Sequence, residues 1–348
     1  MTGTAVTEVV GADLIRLPKV ELHLHIEGTL EPELIFALAE RHGLALAHGD
    51  IEGLRAKYDF TDLADFLDLY YDNMSVLVTE ADFYDLAHAY LRRASAEGVR
   101  HVEMFFDPQA HTTRGVPLQA VVEGLASAAR YGETNFGVST GLIANFVRDR
   151  PVQEAMATLD DLLGLDAPIL AVGLDSVEIG HPPSKFAALF AKARAAGLRC
   201  VAHAGEEGPP GYVWEALDVL QVERVDHGVR SMEDPALVER LRETKTALTV
   251  CPLSNVKLRA FPSLAEHPLA KMLAAGLRVT VNSDDPAYFG GYISENFRQV
   301  ADVFDLGRTE LAKLARNAID AAFVGAQQRR DLLAELDRWE GGPVPPVH

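Results

Sequence analysis

Residues 19–28 read KVELHLHIEG, with Lys19, Glu21, His23, His25 and Glu27 alternating with Val20, Leu22, Leu24 and Ile26. Side chains of an extended strand point to opposite faces with a period of two, so the run predicts a β-strand with one polar and one apolar face. Solvent is the ordinary partner of such a polar face, as in half-buried antiparallel strands. The sharper alternative puts both histidines on a metal ion inside a barrel, and the rest of the chain has to choose between them.

Seven further apolar, β-branched runs follow: 99–106, 137–144, 168–175, 198–203, 224–228, 246–252 and 277–284. Between them lie helical patterns such as PVQEAMATLDDLLG, PALVERLRE and SLAEHPLAKMLAAG, several closed by glycine, which tolerates the positive φ of a helix C-terminus. Eight strands alternating with helices predict an α/β fold of the (β/α)8, TIM-barrel type. A doubly wound open sheet is the competing architecture, but neither a glycine-rich dinucleotide fingerprint nor a phosphate loop is found. In a barrel, Leu22 and Leu24 meet the outer helices while His23 and His25 face the lumen. Such lumens are normally filled by branched apolar side chains, so a polar inner face needs a reason, and a metal supplies one.

With 348 residues, the chain exceeds the roughly 250 that a barrel of this kind needs. Much of the surplus falls at about 31–97, where three helical patterns predict an insertion between strands one and two, read either as a cover over the barrel mouth or as packing around it. A helical tail follows Asn296. No repeat or clear linker interrupts residues 1–348, which predicts one domain.

The formal net charge of −19 disfavours nucleic acid and anionic membrane surfaces as partners and favours neutral or cationic small molecules. The first twenty residues lack the basic start and long apolar run of a signal peptide, and no segment is apolar enough to span a bilayer, so a soluble, cytoplasmic protein is expected. Self-association into a homo-oligomer stays open. The two cysteines, Cys200 and Cys251, each sit in an apolar strand-like run, which fits small, reduced, buried side chains.

Active sites of these barrels lie at the C-terminal strand ends. There the chain carries HLHIEG, VEIGHPP, HAGEE, DHG and NSDDP, after strands one, four, five, six and eight. His23 and His25 project the same way and are close enough to share one ion. His203 adds a nitrogen from across the barrel, and Asp284 adds an oxygen where the eighth strand closes on the first. Three imidazoles and a carboxylate suit one Zn2+ per chain, although imidazole chemistry alone also admits iron and other divalent ions. A catalytic zinc lowers the pKa of its water to about 7, which predicts a hydroxide nucleophile at neutral pH.

Together, PKVELHLHIEGTLEPEL, HAGEE, DHG and NSDDP resemble the adenosine, AMP and adenine deaminase family of metal-dependent hydrolases, in order and spacing, from about residue 17 to beyond 290. The resemblance implies a zinc barrel in which His23, His25, His203 and Asp284 bind the metal. It further implies that Glu206 passes a proton to purine N1, His227 orients the hydroxide, Asp285 hydrogen-bonds N7, and the Gly180 backbone N–H meets N3. Elementary chemistry supports the Glu206 role independently. Adding hydroxide to C6 breaks aromaticity, so protonation at N1 assists it, and a general acid is commonly worth roughly 10²–10⁴-fold.

In the adenosine-acting branch, the position two residues after the second histidine is usually aspartate. Glu27 here, within HIEGTLEP, looks closer to the adenine-acting branch. Its added methylene is expected to reach into the space of a ribose and accept from the N9–H of a free base. The expected reaction is adenine plus water giving hypoxanthine plus ammonia, with adenosine or another 6-aminopurine derivative as the alternative substrate. A binuclear amidohydrolase with a carboxylated lysine is a more distant reading, since DSVEIG offers Glu178 but no lysine. A silent zinc-binding interaction protein is another, but it has no need of both Glu206 and His227. The zinc deaminases of flipped bases carry P-C-x-x-C, which two distant cysteines cannot supply.

Overall fold

The computed structural model describes residues 13–165 and 167–343. Residues 1–12, within the stretch read for a leader, lie outside the described residues. The eight expected strands all form: β1 (Lys19–His25), β2 (Val99–Phe106), β3 (Ser139–Val147), β4 (Ile169–Asp175), β5 (Arg199–Ala204), β6 (Arg224–His227), β7 (Ala247–Val250) and β8 (Arg278–Val281). They pair in parallel in chain order. The ring closes at the strand ends, where the His25 N–H donates to the Asp284 carbonyl at 3.0 Å and the Asp284 N–H to the His23 carbonyl at 3.1 Å. Lower in this seam, Asn282 Oδ1 takes the place of a ladder carbonyl and accepts from the Leu22 N–H at 2.9 Å.

Hydrophobicity sorts the two faces of the sheet. Leu22 and Leu24 are fully buried in the large apolar cluster shared with the surrounding helices, and each such leucine contributes about 1.5–3 kcal/mol on burial. A small second cluster, Phe105, Ile143, Ala171 and Val201, combines one residue from each of β2 to β5. It plugs the lumen, and Phe105 lies with its ring centroid 5.0 Å from that of His23 and 5.1 Å from that of His25. The polar face of β1 therefore rests on an apolar floor and looks toward the barrel mouth.

One part of the β1 alternation fails. The strand pairing is irregular between Glu21 and Leu24, and Glu21 does not stack beneath His23. Its carboxylate accepts from Tyr90 on an outer helix at 2.6 Å and from the Ser283 N–H at 3.1 Å.

Four helices, Pro32–His42, Ile51–Arg55, Leu63–Asn73 and Glu80–Ala96, connect β1 to β2. Leu63–Asn73 starts on the Asp62 carboxylate, which accepts from the Asp65 N–H, an ordinary N-cap. Its apolar face joins Phe60, Tyr288 and Phe289 in a separate cluster at the mouth. Cys200 and Cys251 are buried free thiols. Among the described residues, no helix is long and apolar enough to cross a membrane.

Candidate active site

At the C-terminal ends of the strands, one ligand atom each from His23, His25, His203 and Asp284 falls within 4.8 Å of all the others, and all four residues are buried. The atoms are arranged for a cation. His23 Nδ1 faces the Thr249 carbonyl at 3.1 Å; a carbonyl only accepts, so the proton sits on Nδ1 and the lone pair on Nε2. That Nε2 is buried with no hydrogen-bond partner, 3.2 Å from Asp284 Oδ1. His25 Nε2 and His203 Nε2 face each other at 3.1 Å, a contact between two acceptors unless a cation or proton lies between them. Burial pushes the His25 pKa down to about 4 and that of His203 well below the usual imidazole range, which leaves neutral nitrogens free to ligate. The donor set of three nitrogens and a carboxylate fits a divalent metal.

The supporting residues come from segments remote in sequence. Asp226 stands 3.6 Å from His203 Nδ1 and accepts from Thr249 Oγ1 at 2.7 Å, so the His23 and His203 orientations share one buried network. Such outer partners fix ring orientation and raise ligand basicity.

His227 projects from the end of β6, its Nε2 lying 3.4 Å from Glu206 Oε2 and 3.7 Å from Asp284 Oδ2. Its tautomer follows from a chain of contacts that starts at a backbone amide. The Leu269 N–H donates to His267 Nδ1 at 3.2 Å, so His267 donates from Nε2 to Asn255 Oδ1 at 3.2 Å. Asn255 Nδ2 then donates to His227 Nδ1 at 3.3 Å, leaving the proton of His227 on Nε2, facing Glu206 and Asp284. His267 lies in a run that reads as an exposed helix, yet it is 2% exposed. Both His227 and Asp284 have positive φ, 60° and 64°, a conformation that few non-glycine residues adopt and that concentrates at functional sites.

Glu206 is carried by the loop after β5, and Glu178 holds that loop. The Glu178 carboxylate accepts four successive backbone N–H groups, from Gly205 at 2.6 Å, Glu206 at 3.1 Å, Glu207 at 2.9 Å and Gly208 at 2.7 Å. A Cβ on Gly208 would fall 2.5 Å from Glu178 Oε1, so glycine lets the backbone wrap this closely. Burial, then the nearby Asp284, Glu207 and Glu178 charges, push the Glu206 pKa well above the usual carboxylate range. Replacing Glu178 with Gln, which cannot accept four bonds, is expected to lower kcat about 10-fold with KM and metal content little changed; steady-state kinetics beside metal analysis check this.

Asp284 and Asp285 diverge. Asp284 faces the histidines, while Asp285 packs against Gly28, where a Cβ would lie 2.1 Å from Asp285 Oδ1 and 2.6 Å from its Cα. The glycine of HIEG is thus the space Asp285 occupies. Asp285 is also pushed well above the usual carboxylate range, by burial and by the Asp284 charge.

A cavity opens above these groups. Its lining brings together His25, His203, Glu206, His227, Asp284 and Asp285 from the expected set. The helix Leu63–Asn73 closes it with Leu63, Phe66, Leu67, Tyr70 and Tyr71, an apolar cover suited to a flat ring. Two expected substrate contacts do not reach it. Gly180 is on the exposed part of the loop after β4, whereas Ser176, at φ 70° in the same loop, is on the wall. Glu27 is fully buried behind the wall: its Oε1 accepts from the Asp107 N–H at 3.0 Å and from His111 Nε2 at 2.8 Å. One oxygen of the Glu27 carboxylate is thus tied to the β2 end, while its Oε2 is buried with no hydrogen-bond partner. Asp107 and Asp175, which the motifs did not single out, stand on the wall instead.

Comparison with known proteins agrees with this geometry. The family model described as adenosine deaminase matches residues 18–339. The chain belongs to the adenosine deaminase family. It is 57% identical over 325 residues to an adenine deaminase of Rhodospirillum rubrum, covering 93% of this chain and 97% of that one. It is 54% identical to an adenine deaminase of Cupriavidus necator, covering 95% of each. Among solved structures, the adenine deaminase of Arthrobacter aurescens superposes with a TM-score of 0.92 at 58% identity, covering 93% of this chain and 99% of that one. An amidohydrolase from Burkholderia ambifaria with bound zinc superposes with a TM-score of 0.89 at 31% identity, covering 97% and 95%.

Proposed function

We propose that the protein hydrolyses adenine to hypoxanthine and ammonia, with one zinc ion held by His23, His25, His203 and Asp284. The observation that carries this reading is the convergence of those four donors beside Glu206 and His227 in a cavity covered by apolar rings. The identity to adenine deaminases over nearly the whole chain supports the substrate, and the zinc of the Burkholderia ambifaria relative supports the metal.

When bound, zinc supplies Lewis acidity that makes a water molecule acidic enough to attack near neutral pH. His227, with its proton on Nε2, donates to the attacking water and holds it toward C6. Glu206, protonated by virtue of its raised pKa, gives its proton to N1 as C6 takes up the water oxygen. The resulting Glu206 carboxylate then accepts one proton of the added water and returns it to the amine, and takes up the other as the C6–O bond becomes the carbonyl, which restores its acid form. The C6–N bond breaks, ammonia leaves, and N1–H remains on hypoxanthine. Asp285 hydrogen-bonds N7 and so keeps the ring in register with Glu206.

Ammonia release measured side by side on adenine and adenosine tests the assignment. A site that hydrogen-bonds a substrate N–H rejects the analogue lacking it by roughly 10⁴–10⁵, so adenine is expected to dominate by about that factor. Comparable turnover of adenosine would overturn the free-base assignment.

A further inference from the structure

We propose that Asp107 and Asp175 form the subsite that selects a free purine base, by accepting the imidazole-ring N–H that a nucleoside lacks. The inference rests on the adenine reading above and names the residues that make it specific.

Both side chains stand on the cavity wall: Asp107 at the end of β2, across the ring from β6 and His227, and Asp175 at the end of β4, which adjoins β5. Each is nearly inaccessible, at 1% and 3% exposed, and each keeps a carboxyl oxygen, Asp107 Oδ1 and Asp175 Oδ1, with no hydrogen-bond partner. Carboxyl oxygens of the two come within 4.8 Å of each other. Buried acceptors left unpaired are costly, and two carboxyls side by side more so. A donor arriving from the cavity relieves both penalties. A 6-aminopurine oriented with C6 at the metal, N1 at Glu206 and N7 at Asp285 leaves N9 facing the remaining wall, where Asp107 and Asp175 stand, and in the free base N9 carries an N–H. In a nucleoside the same atom bears a sugar, which would meet two buried carboxyls instead.

The surroundings hold the pair rigidly. Asn145 Nδ2 donates to Asp175 Oδ2 at 2.9 Å. Asn145 can lie there because residue 173 is glycine; a Cβ would fall 1.8 Å from Asn145 Oδ1. The Asp107 backbone is fixed through Glu27, which His111 supports, and Arg114 Nη2 donates to His111 Nδ1 at 2.9 Å. Arginine can only donate, so His111 carries its proton on Nε2 and gives it to Glu27. Glu27, expected from its position to touch the base, acts through Asp107.

The test compares adenine with 9-methyladenine, which lacks the N9–H, on the wild type, Asp107→Asn and Asp175→Asn, with metal content measured on each sample. Wild type is expected to favour adenine in kcat/KM by at least about 10³-fold. Each Asn variant keeps the shape, so adenine is expected to fall roughly 10- to 100-fold, as for loss of a hydrogen bond to a charged group, with no parallel fall for 9-methyladenine and no change in metal. Three results would overturn the inference while leaving adenine deamination intact: comparable use of both substrates by the wild type, equal losses on both in the variants, or unchanged adenine kinetics in the variants. A second metal ion per wild-type chain, lost in these variants, would likewise overturn it, assigning the pair with His25 to that ion. If the wild type fails to turn over adenine at all, the functional reading falls and this inference with it.

Discussion

Replacing Glu206 with Gln is expected to lower kcat on adenine by about 10³-fold or more while leaving one metal ion per chain. The two side chains have nearly the same size, and the loop that carries residue 206 is held by Glu178 through backbone N–H groups that the substitution leaves alone. What disappears is a transferable proton at N1, and a positioned general acid is commonly worth roughly 10²–10⁴-fold. The upper part of that range applies because the same group both gives the proton to N1 and returns one to the amine. The wild type carries a matching pH signature. Burial and neighbouring carboxylates raise the Glu206 pKa, so the acid form persists to higher pH than for an ordinary glutamic acid and is lost as pH rises through the raised value. kcat therefore declines on the alkaline side, and the Gln variant loses that dependence. Retention of most of the wild-type kcat by the variant would contradict the assigned role.

Asp284→Asn is expected to produce a folded protein with little bound metal and at least about 100-fold less activity. The fold survives because the contacts with which residue 284 closes the ring are main-chain ones, to His23 and His25. Its φ of 64° suits asparagine better than any other replacement except glycine, since a short amide side chain tolerates the left-handed region. The loss is electrostatic. Asp284 is the one carboxylate among the four ligands, beside three neutral imidazoles, so it supplies the only negative charge of the set. Removing even an outer partner of a metal ligand costs about 10–100-fold in affinity or activity; removing the charge itself costs at least the upper figure. Circular dichroism, metal content and turnover on one preparation separate folding from chemistry.

The barrel was legible because its determinants are local. VRHVEMFF forms a strand over residues 99–106, and β-branched runs alternate with helical patterns, several of them closed by glycine. The metal site was legible because a period of two puts His23 and His25 on one face. The same period misplaced Glu21, because an irregularity in β1 pairing breaks the alternation. Periodicity assigns a face, never a partner, and the remaining features depend on partners. Thr249 orients His23 from 226 residues away. His267 sits in a pattern indistinguishable from an exposed helix, yet it supports Asn255 and through it His227. Glu178 looked like a candidate metal carboxylate and instead gathers the backbone of the Glu206 loop. Asp107 and Asp175 each end a strand, in contexts that elsewhere mark only a turn or a helix start, and their pairing across β2 and β4 exists only once the ring is closed.

The most direct measurement is the number of metal ions per chain set against turnover of adenine, as a chelator removes the metal and zinc is returned. The account predicts one ion per active wild-type chain, activity that falls and recovers in proportion to occupancy, and almost no ion on Asp284→Asn. Full activity in a chain stripped of metal, or an ion that Asp284→Asn retains at wild-type level, would contradict it.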